Sequence, residues 1–128
     1  MSESIKNNSQ EIEIDLSYLN EIACGSVEFM IDMINIFLEQ TPLYMEQLIA
    51  AVNQQDWKTV GDVAHKIKPT LAFMGVNSAK DTMAEIERKA RALSSLETIA
   101  EEVEGIGAVI SNLYSRLEQT KVEFESQL

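Results

Sequence analysis

Apolar positions recur along this chain at intervals of three and four, the spacing of one face of an α-helix. From Val27 they fall at Met30, Ile31, Ile34 and Leu38, and Ser26 with Glu28 close behind reads as that helix's start. Phe29, Met33 and Ile36 form a second apolar face on the same helix. A helix that is apolar on two faces must be covered twice. A short helix upstream is expected to do this, with Asp15 or Ser17 as N-cap, Leu16, Leu19 and Ile22 as its apolar residues, and Gly25 at its end. A partner protein is the alternative cover. Thr41-Pro42 interrupts the pattern, and proline's missing N–H predicts a kink or a fresh start. Leu43, Leu48, Ile49 and Val52 then continue the stripe.

Asn53 to Asp56 reads as a turn, with Asp56 as the N-cap of a third helix that begins at Trp57. Its inward stripe is Val60, Val63, Ala64, Ile67, Leu71 and Met74, and Gly75 stops it. A further helix follows Asn77 or Ser78, with Ala79, Met83, Ile86 and Ala90 inward. Leu93 to Glu97 links it to a last helix carrying Ile99, Val103, Ile106, Ile110, Leu113, Leu117 and Phe124. Four long amphipathic helices with short connections predict an all-α fold, an antiparallel four-helix bundle with a short N-terminal capping helix. The bundle is expected over residues 15–128, behind a polar, unpatterned and flexible segment 1–14.

Composition agrees with helices. Of 128 residues, 45% are hydrophobic but only 6% aromatic, and there are two prolines. No apolar run approaches the ~18 residues of a membrane span. Met1 to Gln10 carry no apolar signal-peptide stretch, so a cytoplasmic protein is expected. Cys24 is the single cysteine, which excludes an internal disulfide. The net charge of −11 argues against nucleic-acid binding and suits a soluble monomer. Charge is unevenly spread, however. Residues 56–91 hold seven bases and five acids, the one locally basic stretch of an acidic chain.

That stretch contains the only histidine, His65. At about 100° per residue it falls about 150° from the buried stripe of its helix and faces water. Gly61, Lys68, Pro69 and Ala72 are its neighbours on that surface. All but Lys68 are small or compact, leaving room for a large object to approach. Imidazole is a nucleophile near neutral pH, and a lysine one turn away can offset phosphoryl charge. No phosphate-binding glycine loop, Glu-x-x-His pair or hydrolase elbow accompanies it. On these residues alone, an ordinary surface histidine is the simpler account.

Ala64-His-Lys-Ile-Lys-Pro-Thr70, followed by Phe73-Met-Gly-Val76, resembles the histidine-containing phosphotransfer (HPt) domain of two-component phosphorelays. That family's pattern is Ala-His-x-Leu-Lys-Gly-Ser, with a Leu-Gly-Ala-like helix end. Phe37-Leu38, Ala51 to Asp56 and Ile86-Glu87 are similar to the family as well. The resemblance implies a helical bundle whose histidine takes a phosphoryl group from a receiver-domain aspartate and passes it to another receiver. His65 would be the acceptor, Lys68 the charge support and Thr70 the family's serine position. No ATP site or bound cofactor is implied, so no autokinase activity is expected. Mg²⁺ would sit on the receiver, and the partners would be response-regulator receivers or a hybrid histidine kinase. Docking is expected around Gly61, Lys66, Pro69, Ala72 and Phe73, with Met33 contributing. Pro69 stands where the family has glycine, and predicts a kink just after His65. The alternative function is a non-catalytic helical adaptor that binds a partner helix along Phe29, Met33 and Ile36.

Overall fold

Where a helix starts and stops in this chain is set by short capping motifs. In the computed structural model, which describes residues 14–128, they delimit five helices. These are α1 Ser17–Ala23, α2 Val27–Asn53, α3 Trp57–Phe73, α4 Asn77–Ala92 and α5 Ile99–Glu125, with a 3₁₀ turn at Leu96–Thr98. The flexible segment expected over residues 1–14 lies outside the described residues except for Ile14, which packs against the core.

Ser26 Oγ accepts from the Phe29 N–H, and Asp56 Oδ1 from the Thr59 N–H, so these two expected N-caps close their helices, whereas the first helix is capped at Leu16 rather than at Asp15 or Ser17. Asp15 accepts from the Ser17 N–H, one position outside the cap residue Leu16. The ends are closed by the backbone. Gly25, Asp56, Val76 and Ser94 each donate to the carbonyl five residues back, which satisfies the last turns of α1 to α4. At the end of α3 this needs Gly75, whose φ is +71°. The Asp15 backbone lies directly over that glycine.

α3 packs on α2 and α4, and α5 packs on the same two, closing a ring of four antiparallel helices. The described residues contain no strand, and none of their helices is long and apolar enough to cross a membrane. The expected stripe of α3 is buried from Val60 to Met74, and that of α4 from Ala79 to Ala90. Ile99, Val103, Ile106, Ile110, Leu113 and Leu117 of α5 are buried too, with Phe124 half-buried at the edge. Each Val, Leu, Ile or Met side chain so buried contributes about 1.5–3 kcal/mol.

Two expectations need correction. Of the kink or fresh start expected at Pro42, the fresh start does not occur, because α2 runs unbroken from Val27 to Asn53. Its buried phase therefore carries straight through as Ile34, Phe37, Thr41, Met45 and Leu48. Leu43 lies on the opposite face, 56% exposed, and Ile49 is exposed as well. Nor does α1 cover the second apolar face of α2. It turns Leu19 and Ala23 inward and stacks Tyr18 on Phe73 of α3 at 5.6 Å, leaving Ile22, Phe29 and Ile36 exposed and Met33 half-buried. α1 caps one end of the bundle instead.

Candidate functional site

The stripe that buries Val60, Val63, Ala64, Ile67 and Leu71 leaves only one side of α3 for solvent. His65 stands there with its side chain 65% exposed. Pro69 sits one turn on, also exposed, and the helix continues without interruption to Phe73. Lys68 accordingly keeps its helical place despite the proline that follows it.

The geometry of the site comes from the α3–α4 hairpin. Counting outward from Val76 at its turn, His65 and Glu87 are each eleven residues away, and Gly61 and Arg91 each fifteen. The antiparallel pairing brings both pairs together. Glu87 Oε2 lies 3.0 Å from His65 Nδ1, and Oε1 lies 2.6 Å from Lys68 Nζ. Arg91 Nε donates to Glu87 Oε2 at 3.0 Å, and its Nη1 to Asp62 at 3.1 Å. Lys58 closes the far end on Asp62 at 3.0 Å. One carboxylate, only 12% exposed, thus gathers the imidazole, a lysine and an arginine.

Burial alone would push the Glu87 carboxyl up, but hydrogen bonds from Lys68 and Arg91, with the charges of Lys68 and His65, outweigh it and hold it below the usual carboxylate range. Glu87 is therefore ionised at neutral pH. An ionised carboxylate can only accept. The proton of a neutral His65 ring must then sit on Nδ1, and Nε2 presents a free lone pair to solvent. That is the protonation pattern a nitrogen nucleophile needs. The sign for stability follows as well. Glu87's contribution is fully present above its ordinary value near 4.5 and is lost as pH falls through the lowered value.

The expected site residues divide between two flanks of α3. On the α4 side, Lys68, Pro69 and Ala72 share a shallow trough with His65, completed by Lys80, Asp81 and Ala84. On the α2 side, Thr70 and Phe73 line an apolar pocket with Met33, Ile36, Phe37 and Met74. Thr70 is not brought to His65. Its hydroxyl donates back to the Ile67 carbonyl at 2.6 Å. Lys66 is exposed.

Gly61 needs a correction. It does not widen the approach to His65, because it is buried under Arg91. A Cβ there would lie 3.1 Å from Arg91 Cγ, and the Gly61 carbonyl accepts from Arg91 Nη2 at 3.3 Å. The absence of a side chain at 61 is what lets Arg91 pack against α3 while its Nε reaches Glu87. Glu87 entered the sequence reasoning only through the Ile86-Glu87 resemblance, and neither it nor Arg91 was given a chemical role. The hairpin count outward from Val76 is the signal that could have found them.

Among the described residues, no group of three or more His, Cys, Asp and Glu side chains is placed to hold a metal ion. The family model described as Hpt domain matches residues 32–120 of the chain. Neither the curated proteins nor the solved structures gave a match.

Proposed function

The chain belongs to the Hpt domain family, whose members are phosphocarriers of two-component relays, and from that membership we propose that His65 is its phosphoryl acceptor. The observation that carries this reading is the ionised Glu87 at 3.0 Å from Nδ1 of an exposed ring. It leaves Nε2 as the free nucleophile.

The step is an in-line transfer. The Nε2 lone pair attacks the phosphorus of a receiver's aspartyl phosphate, forming the N–P bond. The P–O bond to the aspartate breaks, and its electron pair leaves with the carboxylate. Nδ1 keeps its proton, so the phosphorylated ring takes up positive charge directly against Glu87, which opposes it with a fixed negative one. Lys68, one turn from His65, exchanges part of its contact with Glu87 for the phosphoryl oxygens. Return of the group to a second receiver reverses these bonds.

Nothing in this cycle needs a nucleotide or a metal held by the chain. It has no autokinase activity, and Mg²⁺ comes with the receiver's aspartate site. The chain acts as a monomer in the cytoplasm, between a hybrid histidine kinase or other receiver donor and a response regulator. The receiver docks over Pro69, Ala72 and Lys66 and along the apolar flank of Phe73, Met33 and Ile36, where Tyr18 and Ile22 extend the exposed surface. The contact is modest in area, as a carrier that must release its partner requires.

The test is incubation with a phosphorylated receiver domain carrying labelled phosphate. Acid-labile label should appear on the wild-type chain. The Glu87→Ala chain should acquire it about ten- to a hundredfold more slowly, the scale of one charge-assisted hydrogen bond of about 1.5–3 kcal/mol. No label from any receiver would instead favour the helical adaptor, for which the exposed Phe29 and Ile36 would be the binding face.

A further inference from the structure

The cations of the network around His65 are each paired with a carboxylate before a phosphoryl group arrives. Lys68 is taken up by Glu87 at 2.6 Å, and Arg91 is shared between Glu87 and Asp62. Asp62 is in turn neutralised by Lys58. Counting Lys58, Lys68 and Arg91 against Asp62 and Glu87, the network carries one net positive charge. A phosphoryl group brings about two negative charges at neutral pH, and the ring that carries it supplies one positive charge, which already faces Glu87. A cation not committed to the network would be free to meet the phosphoryl oxygens.

Lys80 occupies the place for it. It lines the trough from the α4 side, with His65, Lys68, Pro69 and Ala72 on the α3 side. By the hairpin count Lys80 is level with Ala72, and Ala84 with Lys68, so the floor between the two lysines is made of small side chains. Lys80 is also loosely held. Among the described residues its one ion-pair partner is its neighbour Asp81, at 3.9 Å, and its side chain is 40% exposed. Lys58, Lys68, Arg88, Lys89 and Arg91 each have a carboxylate at 3.1 Å or closer. A lysine free to swing, over a floor that leaves room, fits a ligand that arrives during the reaction rather than a structural ion pair.

Resting on the assignment of His65 as acceptor, we propose that Lys80 is a second phosphoryl-binding residue that closes on the phosphoryl oxygens from the α4 side of the trough. Lys68 then contacts the group from its own helix and Lys80 from the next. Asp81, 76% exposed in the same trough, opposes this by holding Lys80 back and by repelling the phosphoryl group.

The experiment uses the full chain and phosphoramidate, a small anionic donor, so that no receiver surface enters the result. Loading is followed by ³¹P NMR, and the pH titration of the phosphorus resonance reads the charge next to the group. A cation beside the phosphoryl oxygens favours the dianion, so Lys80→Ala should raise the phosphoryl group's apparent pKa. The expected shift is about 0.3–0.7 units, with loading slowed about two- to fivefold, the span of a partly exposed ion pair. Lys80→Arg should restore both, and Asp81→Asn should move both the other way. A merely structural lysine would leave the phosphoryl titration untouched. Wild-type titration and loading in Lys80→Ala, with label still lost in His65→Gln, overturns the role of Lys80 alone. Label retained in His65→Gln overturns the acceptor assignment together with it.

Discussion

His65→Gln should fold as the wild type does and take up no phosphoryl group from either a receiver or phosphoramidate. Both halves of the expectation follow from position. The ring is exposed and, among the described residues, makes its one hydrogen bond to a carboxylate that Lys68 and Arg91 also hold, so its removal leaves no buried polar group unpaired. A surface change of this kind alters stability by no more than about 0.5 kcal/mol. Glutamine has no nucleophilic nitrogen, and the described residues hold no second histidine to replace it. Loss of label together with an unchanged thermal transition separates chemistry from folding. A destabilised variant would show that the ring carries structural weight.

The second large effect is on stability. Gly75→Ala should cost about 2 kcal/mol or more, whereas Gly25→Ala should cost only about 1 kcal/mol. Both glycines have positive φ, +71° and +77°, and so carry a similar backbone penalty. They differ in what a side chain would meet. Around Gly25 there is open space, but at Gly75 a Cβ would overlap the Asp15 carbonyl and displace the segment that leads into α1. Urea denaturation of the two variants measures the difference as the cost of that displacement. Equal losses would mean that the entry to α1 yields freely.

The bundle was legible in the sequence because helices α3, α4 and α5 each carry one apolar stripe in unbroken 3.6-residue phase. In α2 the reading failed at Pro42. A proline inside a packed helix loses one hydrogen bond, and the burial of Phe37, Thr41, Met45 and Leu48 on one continuous face outweighs that loss. Allowing for a kink or a fresh start at the proline, and resuming the stripe at Leu43, put Leu43 and Ile49 on the wrong side. At the site, the exposure expected for His65 follows from phase within its own helix. The role of Glu87 depends on a partner 22 residues away, which no single-helix pattern encodes. Gly61 shows the same limit. It looked like space left for an approaching protein, yet the space is filled by Arg91 from α4. Thr70 was placed by its match to a motif, and its hydroxyl bonds within α3 instead.

The most direct test of the account is the position of the phosphorus on the ring. The chain, labelled with ¹⁵N-histidine and loaded with phosphoramidate, would be examined by ¹⁵N and ³¹P NMR. With Glu87 holding the proton on Nδ1, a single phosphorus should be coupled to Nε2 of His65, and the Nδ1–H signal should persist. Phosphorus on Nδ1, or on any residue other than His65, would contradict it.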